Sequence, residues 1–487
     1  LFYPYQAKRM RRFTLHALLF TLFTTSLPAQ SIPTSEYATR RDSLAARIDS
    51  GVVVAFGGRT PVGPERFGQL PAFRYLTGFL EPDAALVMVV RPGSTRATLF
   101  TSERDPRRAL YDGFPPDSTE VARRTGMEAR SIGALPAQLD SLANGSLPFY
   151  TLHDFATADA AESDSLTRGR HFMQLFADGH PKLVVRDAHP ILDSLRTRKS
   201  PAEAAMLRRA IDLTGGGLRE VMRALKPGMM EYEIEAMFQA AFRRGGADGD
   251  AFVAIVGSGP NSTQYHYNAN DRRIGKGEVI VMDVGAAFGG YTADVTRTLP
   301  ANGRFSPEQR AVYQIVRDAQ EAAAKVAKPG AQFAAWRGAA REVIARGVAK
   351  LGLTEGVDAT FDPPWASQCE TDPVACTQAF LYMAHGLGHG IGLEVHDRPH
   401  PWYGEGTFQP GDAFTIEPGI YVSRKLLEIL PDTPKNRAMI AKVRSTVARY
   451  DNTGIRIEDD YLITDRGAEW LSRAPRELAE VEAAMAR

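Results

Sequence analysis

The sequence predicts an α/β (α+β) protein of two domains, and three observations carry that expectation. The chain is 487 residues long, whereas a single hydrophobic core stops growing at roughly 250–300 residues. Its first half sets short apolar, strand-like runs among helical stretches, and its second half alternates long helices with paired strand-like segments. With 44% hydrophobic and 24% charged residues it has an ordinary globular composition. Lys and Arg total 58 against 57 Asp and Glu, so the basic footprint of phosphate-backbone binding is missing and no nucleic-acid partner is expected.

The first thirty residues differ in kind from the rest. Lys8, Arg9, Arg11 and Arg12 precede a mostly apolar run over 13–27, and Ala29 offers a small residue at which cleavage would follow. Residues 1–29 therefore read as an export signal, with Met10 as its better proportioned start. An uncleaved membrane anchor is the competing reading, but the run is shorter than the ~20 residues a spanning helix needs. Cleavage would leave an exported protein, periplasmic or secreted, with no stable membrane insertion. Export would also permit a local disulfide between the only two cysteines, Cys369 and Cys376. A structural zinc site wants four ligands and fits them less well.

Within 36–187, strand-like runs at 51–57, 85–90 and 97–101 are followed by helical patterns around 120–124 and 135–142. No catalytic cluster is visible there. Ser200 as N-cap and Pro201 at the first helical position then open a long helix. The domain boundary is placed in the polar stretch before it, giving domains 36–194 and 195–487. Ser306-Pro307-Glu308-Gln309 has capping-box spacing for a helix to about residue 327, and another runs from about 333 to 351 with Gly352 as its stop.

Four carboxylates sit among apolar neighbours in strand-like segments. Asp283 and Asp294 flank the turn residues Gly285-Ala-Ala-Phe-Gly-Gly290, Glu417 lies in Phe414-Thr-Ile-Glu-Pro-Gly-Ile-Tyr421, and Glu458 in Ile455-Arg-Ile-Glu-Asp-Asp-Tyr461. The first pair should belong to a hairpin. With its turn centred between Phe288 and Gly289, Asp283 would face Asp294 with Cβ atoms about 4.5–5.5 Å apart. Segment 413–417 should pair with the distant 454–458. Like charges that close either protonate or capture a cation, unless one lies on a solvated edge. Four half-buried carboxylates need metal ions or bases to neutralise them. Between them runs His385-Gly-Leu-Gly-His-Gly-Ile-Gly-Leu-Glu-Val-His396, too glycine-rich for a stable helix and suited to close backbone approach to a ligand. His266 lies upstream.

In that order Asp283, Asp294, His389, Glu417 and Glu458 resemble the five metal ligands of the pita-bread metallopeptidases, which include aminopeptidase P, prolidase and methionine aminopeptidase. The strings His-Gly-x-x-His and Val-His-Asp, Thr-Ile-Glu-Pro-Gly-Ile-Tyr and Arg-Ile-Glu-Asp are similar to the proline-directed branch. So are Ile255-Val-Gly-Ser-Gly-Pro-Asn261 and Phe73-Arg-Tyr-Leu-Thr-Gly-Phe-Leu-Glu-Pro-Asp83. The resemblance implies an N-terminal creatinase-like α/β domain followed by a C-terminal pita-bread catalytic domain. It implies that Asp283 holds one divalent ion, that His389 and Glu417 hold a second, and that Asp294 and Glu458 bridge both. Hard oxygen donors with one imidazole suit manganese, the expected ion, or zinc, cobalt or iron. Two such ions bring the pKa of a shared water toward about 7 and so supply hydroxide.

By the same resemblance Glu417 also handles the water's proton, and His396 and His266 steady the substrate and the tetrahedral intermediate. His385 would line the proline pocket, and Arg456 would orient the ligand carboxylates. The implied activity removes the residue before a proline at the N-terminus, so the expected partners are peptides with proline at the second position. An Xaa-Pro dipeptidase (prolidase) is the alternative. A non-catalytic peptide-binding module, or a creatinase-like hydrolase without metal, should lack this ligand set. A homo-oligomer, dimer or tetramer, is expected. Two segments, 361–376 and 430–452, depart from the family pattern and leave the subsites beyond the proline pocket open.

Overall fold

A run of valines starts the first sheet. β1 (Gly51–Phe56) is buried along its whole length, as β-branched residues covered on both faces are. The other members are β2 (Ala85–Arg91), β3 (Ser94–Thr101), β4 (Glu128–Ser131), β5 (Phe149–Thr151) and β6 (Val185–Asp187). In the computed structural model, which describes residues 31–61, 66–152, 168–397 and 404–486, they form one sheet of order β4-β3-β2-β1-β5-β6. β1 pairs antiparallel with β2 and parallel with β5. The expected helices are present as Ser118–Thr125 and Leu135–Ala143. The export signal expected at 1–29 lies outside the described residues. Among the described residues, no helix is long and apolar enough to cross a membrane.

Helix Pro201–Ala224 begins as its sequence predicts. Ser200 Oγ accepts from the Glu203 amide at 3.1 Å, and Glu203 Oε2 accepts from the Ser200 amide at 2.9 Å, which satisfies two otherwise orphaned donors. Its N-terminal half contributes Met206, Leu207 and Ile211 to a core that also holds Val53 and Phe73. Its C-terminal half contributes Leu218 and Val221 to the larger core of the second half. One helix thus belongs to both cores, and Leu207→Ala there would cost about 2–5 kcal/mol.

The second half contains β7 (Gly249–Asp250), β8 (Ile255–Ser258), β9 (Val279–Val284), β10 (Ala286–Phe288), β11 (Tyr291–Thr292) and β12 (Val295–Pro300). It continues with β13 (Ala413–Ile416), β14 (Gly419–Val422), β15 (Thr453–Arg456), β16 (Asp459–Thr464) and β17 (Gly467–Trp470). The hairpin forms, but in another register than expected. Phe288 pairs with Tyr291, leaving Gly289 and Gly290 as the turn with φ of +59° and +80°. Two consecutive left-handed residues make the turn that matches strand twist, and glycine takes that conformation without strain. Asp283 consequently stands opposite Thr296 rather than Asp294. The slip is an even number of residues, so side-chain parity survives and both aspartates keep to one face as diagonal neighbours.

The pairing of 413–417 with 454–458 is corrected similarly. β13 pairs with β16, and β14 with β15. Pro418 has no N–H to give the ladder, so the strands break there. Both halves keep one register, and across the break it sets Glu417 opposite Glu458.

Helices Pro307–Val326 and Phe333–Leu351 cover these strands, with the Ser306–Gln309 capping box and left-handed Gly352 where expected. Trp336 meets Phe408 and Phe414 edge-on. Gln320 donates to the carbonyls of Ile416 and Ile457. Arg297, wholly buried, donates to the carbonyls of Glu458, Ala474 and Pro475 and pairs with Asp459 at 2.6 Å.

Candidate metal centre

The glycine-rich segment lies against β13. The His389 amide donates to Thr415 Oγ1 at 3.2 Å, Thr415 N donates to His389 O at 2.9 Å, and Glu417 N donates to Leu387 O at 2.8 Å. A Cβ on Gly388 would run into the Thr415 carbonyl, so this approach requires glycine. It carries the His389 imidazole to the carboxylates. Nε2 lies 3.4 Å from Asp294 Oδ2, 3.7 Å from Glu417 Oε1 and 3.8 Å from Glu458 Oε1.

Three overlapping groups have ligand atoms within 4.8 Å of one another: Asp283, Asp294 and Glu458; His389, Glu417 and Glu458; and Asp294, His389 and His396. All five expected ligands are therefore brought together. Burial raises the Asp294 and Glu458 carboxyls well above the usual carboxylate range, and the charges of neighbouring carboxylates raise them further. Burial pushes Glu417 up to about 8 against the opposing charge of Arg456. Asp283 Oδ1, Asp294 Oδ1 and Glu458 Oε1 are buried without a hydrogen-bond partner. Orphaned acceptors carry a desolvation cost of about 1–3 kcal/mol each, more when charged, and cations among them would remove it. Oxygen donors with one imidazole fit hard or borderline divalent ions.

The next layer of contacts fixes these donors. Arg456 Nη2 donates to Asp283 Oδ2 at 2.6 Å and Nη1 to Tyr421 Oη at 3.1 Å. Thr296 Oγ1, opposite Asp283 in the hairpin, donates to Glu458 Oε2 at 2.8 Å. Tyr421 Oη in turn lies 3.0 Å from His385 Nε2, while His385 Nδ1 lies 2.7 Å from Gly386 O. A carbonyl only accepts, so Nδ1 carries the proton and Nε2 accepts from the tyrosine. Burial, followed by the charge of Arg456, lowers His385 to about 3, which keeps the ring neutral. With both nitrogens engaged, only its carbon edges and ring faces are left for other contacts. Tyr265 packs on it edge-on at 5.1 Å. His266 is exposed. The His396 ring is centred 4.0 Å from that of His389.

Sequence reasoning missed Tyr265, Thr296 and a buried clamp on the residue after His396. Asp397 accepts from Lys199 Nζ at 2.6 Å and pairs with Arg196, which also reaches Glu394 Oε2 at 2.5 Å. Asp460, behind Asp294, accepts from its amide at 3.2 Å. Asp397 and Asp460 stand inside the motif strings, whereas the partners of Asp397 lie 198 and 201 residues away.

Comparison with known proteins places these residues in a family. Metallopeptidase family M24 matches residues 205–465, which include every donor of the centre. The chain belongs to metallopeptidase family M24. The aminopeptidase P N-terminal domain matches residues 37–150 of this M24 chain. The Xaa-Pro aminopeptidase of Escherichia coli (strain K12) is 29% identical over 467 residues, covering 93% of this chain and 98% of its own. The Xaa-Pro dipeptidase of Homo sapiens is 30% identical, covering 93% and 94%. Among solved structures, proline aminopeptidase P II from Yersinia pestis aligns with a TM-score of 0.78 at 28% identity, over 93% of this chain and 99% of that one. The M24 chain has the expected α/β architecture, an aminopeptidase P-type N-terminal domain ahead of a pita-bread domain.

Proposed function

We propose that this chain is an exported Xaa-Pro aminopeptidase, a metal-dependent exopeptidase that hydrolyses the bond between an N-terminal residue and a following proline. The observation that carries this is the convergence of Asp283, Asp294, His389, Glu417 and Glu458 around orphaned buried oxygens, in an M24 chain whose relatives are named for Xaa-Pro bonds. The centre would hold two divalent ions, manganese first: Asp283 would serve one, His389 and Glu417 the other, and Asp294 and Glu458 would be shared. When bound, such ions polarise the scissile carbonyl and make water a nucleophile at neutral pH.

The chain's own residues do the rest. Glu417 takes the proton of the attacking water and passes it to the proline nitrogen as the C–N bond breaks. His396 and His266 donate toward the carbonyl oxygen as charge develops on it. His385 presents carbon to the proline ring, and Arg456 keeps Asp283 oriented. The M24 domain spans 195–487 and is preceded by a domain over 36–194. A signal at 1–29, with its start at Met10, directs the protein to the periplasm or medium, as its basic start and apolar run support. It acts there as a homo-oligomer on peptides with proline at the second position and binds no nucleic acid, which its balanced charge supports.

Likeness to a dipeptidase favours Xaa-Pro dipeptides as the second reading. The test compares kcat/KM for Xaa-Pro-Yaa tripeptides and matching Xaa-Pro dipeptides in manganese-loaded protein. The tripeptide should be cut faster, releasing the free N-terminal residue, and D294A and E458A should be folded and inactive. Faster dipeptide cleavage would move the assignment to a dipeptidase, and full activity after exhaustive chelation would sink the metal mechanism. Equal cleavage with alanine in place of proline would defeat the proline-facing role given to His385.

A further inference from the structure

The two segments that depart from the family pattern are built into one another. In the first, Cys369 and Cys376 are disulfide-bonded with Cα atoms 5.7 Å apart, and Trp365 Nε1 donates to Ala375 O at 3.1 Å inside the loop they close. In the second, helix Pro434–Arg449 grips that loop's stem. Asn436 donates to Asp362 O at 2.8 Å and accepts from Asp362 N at 2.9 Å, while Thr433 Oγ1 donates to Asp362 Oδ2 at 2.6 Å. Lys435 Nζ reaches Thr360 Oγ1 at 2.7 Å. The loop is thereby held as a wall.

The wall encloses one side of a cavity of about 270 Å³. Its lining joins apolar Ile344, Val357, Val374, Phe380, Met383 and Leu387 to the carboxylates of Glu342 and Asp358, and includes His385. Val374 comes from the disulfide-closed loop, and Arg341, tied to Asp372 of that loop at 3.6 Å, also lines the cavity. His385 Nδ1 is 3.8 Å from Glu417 Oε2, so the cavity begins one side chain away from the candidate centre. Val357 is 40% exposed, an apolar surface on a wall that solvent would otherwise wet.

We propose that this cavity is a substrate subsite that takes an apolar side chain from the residue following the proline. The proposal rests on the aminopeptidase assignment, in which His385 faces the proline. An extended peptide advances about 3.3 Å per residue, so the next residue passes His385 and meets the cavity. Its volume is just under the range of small-molecule sites, roughly 300–1,000 Å³, and suits one large aliphatic or aromatic side chain. A residue without a side chain leaves the apolar wall wet, and an acidic one is desolvated beside the carboxylates of Glu342 and Asp358, with Arg341 already tied to Asp372.

The experiment uses Ala-Pro-Leu, Ala-Pro-Gly and Ala-Pro-Asp with the manganese-loaded full chain, together with calorimetric binding of the same peptides to chelator-treated protein. The leucine peptide should exceed the glycine peptide about tenfold in kcat/KM, as a partly filled apolar pocket allows, and the aspartate peptide should be poorer still. The order of affinities should be the same. Val374→Asp should bring the leucine-to-glycine ratio to within about twofold. Equal handling of leucine and glycine by the parent protein, or a ratio that Val374→Asp leaves intact, overturns the subsite. Absence of turnover for all three peptides would count against the peptidase assignment, and the binding order would still decide the cavity.

Discussion

Asp397→Asn tests whether a buried clamp positions His396. Asp397 is 2% exposed, and so is Arg196. Burial by itself pushes the Asp397 carboxyl up, but the charges of Arg196 and Lys199 outweigh it and hold the group below its ordinary 3.8. The amide variant keeps the shape and removes the charge. The amide leaves one acceptor for two cations, so whichever faces its NH2 loses that bond, Lys199 Nζ keeping the carbonyl of Arg196 at 2.7 Å and Arg196 keeping Glu394. Removing one partner of a buried pair costs about 3–5 kcal/mol. Because Arg196 keeps a carboxylate, a loss near about 3 kcal/mol is expected. His396, for which a role at the carbonyl oxygen is proposed, is the adjoining residue, and a displacement of an ångström at such a group can cost about 10²-fold. Urea midpoints and kcat/KM should be measured on the same preparations of D397N, K199M and the double variant, where the coupling should exceed about 1 kcal/mol. The linkage has a definite sign. A depressed carboxyl contributes stability that is present above its unfolded value and lost as pH falls through its folded one. The parent and D397N should therefore converge in stability below pH 3.8. A D397N protein within about 1 kcal/mol of the parent at neutral pH would refute the clamp.

Two further outcomes can be measured directly. Arg456→Met removes the 2.6 Å partner of Asp283, and manganese affinity by equilibrium dialysis should fall about 10–100-fold; unchanged affinity would show that Asp283 needs no orientation. The C369S/C376S variant should lose about 2–3 kcal/mol of stability in the chain-entropy account of a short loop. Alkylation of the protein from an oxidising compartment should find no free thiol, and two free thiols would contradict the bond.

The candidate donors were legible in sequence because metal chemistry restricts which residue types can serve, and because each of the four carboxylates stands in or beside an apolar strand, where it needs a reason. Register was less legible. Glycine occupies both Gly289 and Gly290, and composition alone does not say whether one or both take the turn. A Cβ on Gly290 would also run into the Arg74 guanidinium, a contact from the other end of the chain. The stretch 195–200 looked only polar, yet Arg196 and Lys199 are buried in it because Asp397 arrives from far along the chain. Tyr265 and Thr296 acquire their roles in the same way, through strands that meet only after folding.

Arg297 has a bearing on the order in which this molecule comes into being on the ribosome. Its guanidinium joins the carbonyl of Glu458 to those of Ala474 and Pro475, and its partner Asp459 is held from the other side by Arg476. The first donor of the centre, Asp283, therefore leaves the ribosome long before the residues that lock the last one in place. At about 5–20 residues per second the interval is roughly 10–40 s, during which the nascent chain has carboxylates but no assembled centre. A hydrolase built this way cannot act on its surroundings, or on itself, until synthesis is nearly complete.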